Sequence, residues 1–356
     1  MDTNSPRLSQ FTRAALVGFL VVVPVILVLV ASWSALLPLA MLYLPPSLFA
    51  LAVATSHRRQ NTHIRDIDTD ALVRLFLGGF FPGVILAMLA ETVLTVAGLG
   101  VFLALDHGDI LGQIQQYRAQ HPPPANATLN VGDVLSHIRI RHSLSVLLGM
   151  AFMAFVVAGA VEESIKTWLV LRGPCFIRPS TWSHGATSST LSVNPPTDAA
   201  AATPPFHFVL SFAAVGCGFA TIENVSYAFL TPTLALQIWA AAVRGLLATP
   251  LHMICATLTG MQLVLLPPTT STSKLFSRRV GRAMLPGIVL HGAYDLQSFL
   301  FTFWLNDDDN IMSFGASALC LVVGGLYLNY LRGHIHWTDN YHPVGLVDDD
   351  SASMLV

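Results

Sequence analysis

The chain has 356 residues, of which 53% are hydrophobic and only 11% are charged, and its mean hydropathy is +0.62. Soluble domains carry roughly 25% charged residues, so this composition excludes an ordinary soluble protein and predicts an all-α, polytopic membrane protein. The net charge of −2 gives no indication of a nucleic-acid partner. The four cysteines, at 175, 217, 255 and 320, form no C-x-x-C pair, and we expect free thiols rather than a disulfide framework.

A membrane-spanning helix needs about 20 mostly apolar residues, and the sequence contains eight such stretches. They lie near residues 14–31, 36–55, 75–105, 142–171, 206–230, 237–266, 283–305 and 311–332. We expect the first to be retained rather than cleaved as a signal peptide. It exceeds the usual apolar core of roughly 7–15 residues, and a second apolar run follows closely. The predicted fold class is therefore a transmembrane helical bundle of about eight spans.

Two of these stretches affect the expected topology. Pro38, Pro45 and Pro46 interrupt the second stretch, which predicts a kinked or partly interfacial helix. The third stretch, 75–105, is long enough for a single tilted helix. A broken pair of helices is the alternative, and it would change the topology.

Basic residues concentrate in alternate connecting segments, at positions 7, 13, 58, 59, 65, 74, 172, 178, 274, 278, 279 and 282. With eight spans these segments all lie on one side. Because cytosolic loops are enriched in Lys and Arg, that side and both termini are predicted to be cytosolic. The opposite loops hold only Arg118, Arg139 and Arg141, an acidic run at 307–309 and the glycosylation sequon at 126–128. In a eukaryote, this arrangement would suit the endomembrane system.

The fourth stretch ends with three charged side chains, Glu162, Glu163 and Lys166. A charge at the bilayer centre costs at least about 2.5 kcal/mol, so these groups need partners. Spacings of three and four residues put Lys166 on the same helix face as both glutamates. An ion pair at a helix end is the structural alternative. It explains Lys166, which can snorkel to the headgroups, better than it explains two glutamates.

The fifth stretch carries Glu223 and Asn224 shortly after a pair of glycines, Gly216 and Gly218. Small residues let two helices approach closely, and the pattern places a carboxylate and an amide at depth in the membrane. A hydrogen bond that merely joins two helices is the alternative interpretation.

The sixth and seventh stretches add further polar groups. Arg244 and His252 lie on the sixth, where a lone histidine is usually a satisfied core residue. His291 and Asp295 lie four residues apart on the seventh. That spacing suits two metal ligands, or a metal-bound histidine oriented by a carboxylate.

Four short motifs thus follow one another on four predicted spans: Glu162-Glu163-x-x-Lys166, Phe219-x-x-x-Glu223-Asn224, His252 with Gly260, and His291-x-x-x-Asp295. In this order they resemble the motifs of the PrsW-type intramembrane proteases. That family belongs to the clan that includes the CAAX-prenyl endopeptidases of the Rce type. The resemblance covers about residues 145–300. Glu223 stands where the CAAX branch has a His, which favours the PrsW-type branch.

The resemblance implies hydrolysis of peptide bonds in membrane-anchored protein or peptide substrates, within or at the edge of the lipid bilayer. A metal ion activates water in such a site, and imidazole and carboxylate ligands suit zinc. The expected ligands are Glu223, His252 and His291. Asp295 is expected to act as a further ligand or as the group that orients His291.

The other charged groups are expected to act on the water and the substrate. Glu162 or Glu163 is the general base, and Lys166 holds the glutamate pair. Arg244 neutralises the cluster or stabilises the oxyanion. A metal-free variant stays open, in which a glutamate is the base and His and Asn donate to the oxyanion.

The motifs divide the sequence into three segments. Residues 1–140 are expected to form membrane spans without a catalytic motif, residues 141–305 the catalytic membrane core, and residues 306–356 the last span and a disordered acidic tail. Within the core, residues 173–205 are rich in Ser, Thr, Pro and Ala. That composition predicts a flexible cytosolic linker.

A proton- or ion-coupled transporter is the rival hypothesis, because intramembrane Glu, Asp and His also mark ion pathways. Inverted repeats would favour a transporter, and the sequence contains no evident repeat. A catalytically idle scaffold is a third hypothesis. The complete set of polar motifs argues against it.

Overall fold

The computed structural model describes residues 8–59, 69–105, 109–121, 144–172, 205–266, 273–301 and 311–335. These residues are almost entirely helical and include no β-strand, which confirms the all-α prediction. The first helices are α1 (Gln10–Val17), α2 (Val23–Ala31), α3 (Leu36–Arg59), α4 (Thr69–Gly78), α5 (Val84–Leu105) and α6 (Asp109–Gln120). They are followed by α7 (Leu144–Phe152), α8 (Val161–Arg172), α9 (Pro205–Phe229), α10 (Leu234–Val243), α11 (Thr249–Leu265), α12 (Ser273–Phe299) and α13 (Ile311–Arg332).

Within the described ranges, seven helical segments are long and apolar enough to cross a membrane. They are Thr12–Leu29, Trp33–Val53, Thr69–Phe102, Leu144–Leu171, Pro205–Phe229, Leu234–Leu265 and Ile311–Arg332. They match seven of the eight predicted spans. The remaining prediction, 283–305, falls on α12, where His291, Asp295 and Gln297 lower the hydropathy. This helix has 27 residues, and at 1.5 Å per residue it is long enough to cross a hydrocarbon core of about 30 Å.

The stretch at 75–105 belongs to one continuous helical segment, Thr69–Phe102, and not to a broken pair. A π-helical turn, Gly79–Gly83, joins α4 to α5 and contains Pro82. Proline lacks a backbone N–H and crowds the preceding turn, and a π-turn relieves this conflict without ending the helix. The chain therefore crosses once here, as the count of about eight spans requires.

The chain divides into two compact units. The first comprises Met1–Leu86, Glu163–Ile288 and Leu321–Val356, and the second comprises Ala87–Glu162 and Val289–Cys320. In the first unit, α9 is the central helix, since most of its residues are buried. It packs against α3, α4, α10 and α11.

Glycines set the closest helix contacts of the first unit. A Cβ atom on Gly218 would collide with the backbone of Phe76, and one on Gly216 would lie 2.7 Å from the carbonyl oxygen of His252. The predicted close approach at these two glycines is thus confirmed. Lipid tails are as apolar as leucine, so van der Waals packing of this kind stabilises helix association in a membrane. It also brings α9 directly against α11.

We expect Gly218→Ala to destabilise the fold by about 1–3 kcal/mol, because the added methyl group meets the Phe76 backbone, which cannot rotate away. The matched control is Gly325→Ala on α13, where a Cβ atom has nothing within 4 Å. The measurement is thermal unfolding of the two purified variants in detergent, beside the wild type. Equal unfolding temperatures for all three proteins would contradict the packing described here.

In the second unit, aromatic rings pack against glycines. The ring centroids of Phe102 and Phe152 lie 5.7 Å apart, and Phe152 also packs on Gly98. The backbone at Gly292, next to His291, approaches the ring of Phe155 so closely that a Cβ atom would collide with it. This contact seats the end of α12 against the π-helical segment Met153–Ala160, which leads directly into α8.

Several predictions concern residues outside the described ranges. These are Cys175, the sequon, the acidic run at 307–309, nearly all of the linker at 173–205 and the tail beyond 335. Cys217, Cys255 and Cys320 are described, and all three are free thiols, as expected.

Candidate functional site

The helix α8 carries the first charged motif, and its side chains are buried. Glu162 is 5% exposed, whereas Glu163 and Lys166 are fully buried. Lys166 is therefore enclosed by the protein, and its ammonium pairs with Glu163 inside the fold. Two carboxylates and an ammonium at such depth need partners inside the protein.

The Lys166 ammonium contacts three groups. Its Nζ lies 2.8 Å from Glu163 Oε1 and 2.8 Å from His252 Nδ1, and it lies 4.4 Å from the centre of the Phe219 ring. An ammonium can donate three hydrogen bonds and accept none. His252 Nδ1 is consequently the acceptor when Lys166 is charged. The proton of the neutral imidazole then sits on Nε2.

His252 Nε2 faces the second motif. It lies 3.0 Å from Glu223 Oε2, and the imidazole also stacks on Phe219 with a centroid distance of 6.0 Å. His252 itself is 2% exposed. Lys166, His252 and Glu223 thus form a continuous polar chain from α8 through α11 to α9.

The chain of contacts continues from Glu223 to Arg244. Glu223 Oε1 lies 2.8 Å from Arg244 Nη2, and Asn224 Oδ1 accepts from Arg244 Nε at 2.7 Å. The guanidinium also stacks on Tyr227, 3.9 Å from the ring centre. The side chains of Glu223 and Arg244 are 18% and 23% exposed. They are therefore more accessible than the buried pair of Glu163 and Lys166.

His291 brings two carboxylates together in the second unit. Its Nε2 lies 3.8 Å from Glu162 Oε2 and 3.5 Å from Asp295 Oδ2. His291 is 2% exposed, whereas the side chain of Asp295 is 24% exposed. Asp295 is thus the more accessible of the two carboxylates that face this imidazole.

Glu162, His252 and His291 form a buried group that can hold a metal ion. One carboxylate and two imidazoles are borderline oxygen and nitrogen donors, and the chemistry of this donor set fits a divalent transition metal. The sequence predicted the two histidines and Glu223 as ligands, Glu162 or Glu163 as the general base, and Asp295 as a ligand or the group that orients His291. In the structure, Glu223 contacts Arg244 and His252, and Asp295 contacts His291.

All eight residues singled out from the sequence lie in polar networks. Lys166, Glu163, His252, Glu223 and Arg244 are joined in the first unit. In the second unit, the network comprises Glu162, His291 and Asp295.

Thr249 is the contact that sequence reasoning missed. It lies one turn before His252 and accepts a hydrogen bond from Asn224 Nδ2 at 2.9 Å. The only signal in the sequence was a hydroxyl residue directly before Pro250. That is a common pattern at the start of a helix and does not by itself mark a site.

One family model matches this chain. The model describes the PrsW family intramembrane metalloprotease and matches residues 127–323, which is more than half of the chain. The matched region includes every motif residue discussed above. Neither the curated proteins nor the solved structures contain a match.

Proposed function

Since this chain belongs to the PrsW family of intramembrane metalloproteases, we propose that it hydrolyses peptide bonds of membrane-anchored proteins with a zinc ion and a glutamate-activated water. The family consists of intramembrane proteases, which are hydrolases. The chain is an integral membrane protein, and its substrates are membrane proteins in the lipid bilayer. The single observation that carries the proposal is the buried group of Glu162, His252 and His291.

Support for zinc comes from the donor set and its spacing. His291 Nε2 and Glu162 Oε2 are 3.8 Å apart, and these two side chains, together with His252, would hold the ion. Bound zinc would supply Lewis-acid chemistry, polarising the scissile carbonyl and lowering the pKa of a water molecule.

We assign Glu162 to the ligands and Glu163 to the general base. Glu163 is fully buried and pairs with Lys166 at 2.8 Å, which holds its carboxylate in one orientation. A base must lie within hydrogen-bond reach of the proton that it removes, and its position directly after Glu162 keeps Glu163 beside the proposed ligand. Lys166 is a positioning residue in this scheme, as the sequence predicted.

Glu223 and Arg244 act on His252 in this proposal. Glu223 Oε2, 3.0 Å from His252 Nε2, can take the proton of that nitrogen while Lys166 returns one to Nδ1. This transfer frees the Nε2 lone pair and keeps the imidazole neutral. Before that transfer, Arg244 neutralises the charge of the Glu223 carboxylate through its 2.8 Å ion pair. Asp295, 3.5 Å from His291 Nε2, orients that imidazole.

The proposal is tested by reconstituting the wild-type protein in liposomes with a library of single-span substrates. Cleavage of at least one substrate at a site in or near the membrane is the expected result. Proton flux is measured in the same liposomes, because a transporter would use the same polar side chains for ion transfer. Robust flux without cleavage of any substrate would replace the protease assignment with the transporter.

We propose that both termini are cytosolic, since α12 together with the seven apolar segments makes eight crossings. A cysteine at residue 5 and a cysteine at residue 353, introduced singly after removal of the native thiols, should react with an impermeant reagent from the same side. Labelling from opposite sides would mean that one proposed span, most simply α12, does not cross.

A further inference from the structure

Asn224, directly after Glu223 on α9, is saturated by contacts within the protein. Its Oδ1 accepts from Arg244 Nε at 2.7 Å, and its Nδ2 donates to Thr249 Oγ1 at 2.9 Å and to the Arg244 carbonyl oxygen at 3.4 Å. Asn224 is fully buried and Thr249 is 1% exposed. Both amide hydrogens of Asn224 are thus engaged within the protein. Its contribution lies in the contacts that it makes.

Thr249 lies where the backbone hydrogen bonding of the helix is interrupted. It begins α11, directly before Pro250, and the π-helical segment Arg244–Ala248 ends just before it. Pro250 has no N–H to donate to the preceding turn. The start of α11 therefore has fewer backbone hydrogen bonds than a helix interior, and the bond from Asn224 anchors it to α9.

The same two helices meet twice, through consecutive residues of α9. Glu223 faces His252 at 3.0 Å, and Asn224 holds Thr249, which lies three residues before His252 on α11. A movement of the first turn of α11 along α9 would change the Glu223 to His252 distance directly. The hydrogen bond at Thr249 thus links the start of α11 to the helix that carries Glu223.

We propose that Asn224 and Thr249 are positioning residues for His252, and that the Thr249 hydroxyl is required for full activity and zinc affinity. This inference deepens the proposed function and rests on it. Neither residue bonds His252 directly, and both act through the contact of α9 with the first turn of α11, in the way that groups around metal ligands hold those ligands in their binding orientation. Loss of such groups costs about 10–100-fold in metal affinity or activity.

The test compares Thr249→Val, which removes the hydroxyl at nearly constant volume, with Thr249→Ser, which keeps it. The matched control is Thr257→Val on the same helix, where the hydroxyl bonds only to the Met253 carbonyl oxygen of its own helix. Thr249→Val should lower kcat about 10–100-fold and weaken zinc affinity by a similar factor, with little change in KM. Thr249→Ser and Thr257→Val should behave as the wild type.

A purely structural role for Thr249 would lower thermal stability but leave the kcat of the folded protein and its zinc affinity unchanged. That result overturns the inference, and so does a Thr249→Ser protein as impaired as Thr249→Val. Should the valine variant fail to fold, Thr249→Ala removes the same hydroxyl without adding a methyl group in its place, and the same losses are expected. Wild-type protein that binds zinc but cleaves nothing refutes the proposed function alone, and zinc titration of the variants then decides the role of Thr249. Wild-type protein that neither cleaves nor binds zinc refutes both.

Discussion

Glu163→Gln should abolish measurable cleavage while leaving zinc binding intact. The amide keeps the shape of the side chain but cannot accept the proton of water, and removal of a general base typically costs about 10²–10⁴-fold in rate. Glu162→Gln should instead lose both cleavage and zinc, because a neutral amide replaces a charged ligand. The measurements are single-turnover cleavage of a membrane substrate in liposomes and the metal content of the same preparations.

The matched control for both variants is Glu91→Gln on α5. Glu91 is another glutamate within an apolar span, and it has no part in the proposed chemistry. The Glu91→Gln variant should cleave the substrate as the wild type does. Loss of zinc in Glu163→Gln but not in Glu162→Gln would mean that Glu163 is the ligand and Glu162 the general base. Cleavage that survives in both variants would leave the protease assignment intact but remove the glutamate pair as its base.

His252→Ala and His291→Ala should each remove most of the bound zinc and all detectable proteolysis. The two residues lie on different helices, α11 and α12, and each supplies one nitrogen donor to the proposed group. Three protein ligands are typical of catalytic zinc sites, so loss of one leaves two, which is too few to retain the ion. Metal content is measured by elemental analysis of folded protein. Activity is measured after a chelator has removed the zinc, and again after zinc has been added back.

An exposed histidine provides the control for these variants. His334, beyond α13, hydrogen-bonds the Tyr330 carbonyl oxygen at 2.8 Å, and His334→Ala should keep both zinc and activity. Wild-type protein that is active without stoichiometric metal would contradict the zinc mechanism. The metal-free scheme, with a glutamate base, would then account for the activity.

Local features were predictable from the sequence, because each depends on residues close together in the chain. The apolar stretches gave the spans, and the i, i+3 spacing of Glu163 and Lys166 gave their ion pair. The two glycines of α9 gave the close helix contact. The predicted span at 283–305 falls on α12, although site residues there reduce the very hydropathy that marks a span.

Long-range partners could not be derived in the same way. Lys166 and His252 are 86 residues apart, and no spacing rule connects them. The family resemblance implied that Glu223 is a metal ligand, but its ion pair with Arg244 depends on how α9 packs against the segment between α10 and α11. The hydroxyl of Thr249 gave no signal because threonine is common at such a position. The helices and the polar motifs thus follow from pattern, whereas the contacts between distant motifs depend on the tertiary structure.

The π-helical segments Met153–Ala160 and Arg244–Ala248 each lie just before a proposed ligand, Glu162 and His252. A π-turn holds one residue more than the α-turn that it replaces. Deleting one residue there would restore a regular α-turn and leave the following residues on nearly the same face, whereas deleting one residue from α11 itself would rotate everything after it by about 100°, one α-helical step. Removal of Leu246, 67% exposed, would therefore keep His252 on its present face of α11. Single-residue deletions in the π-helical segments should thus preserve more activity than a single-residue deletion between Thr249 and His252, which would move the imidazole to another face. The number of residues in these helices, and not only their identity, sets the helix face on which each proposed ligand lies.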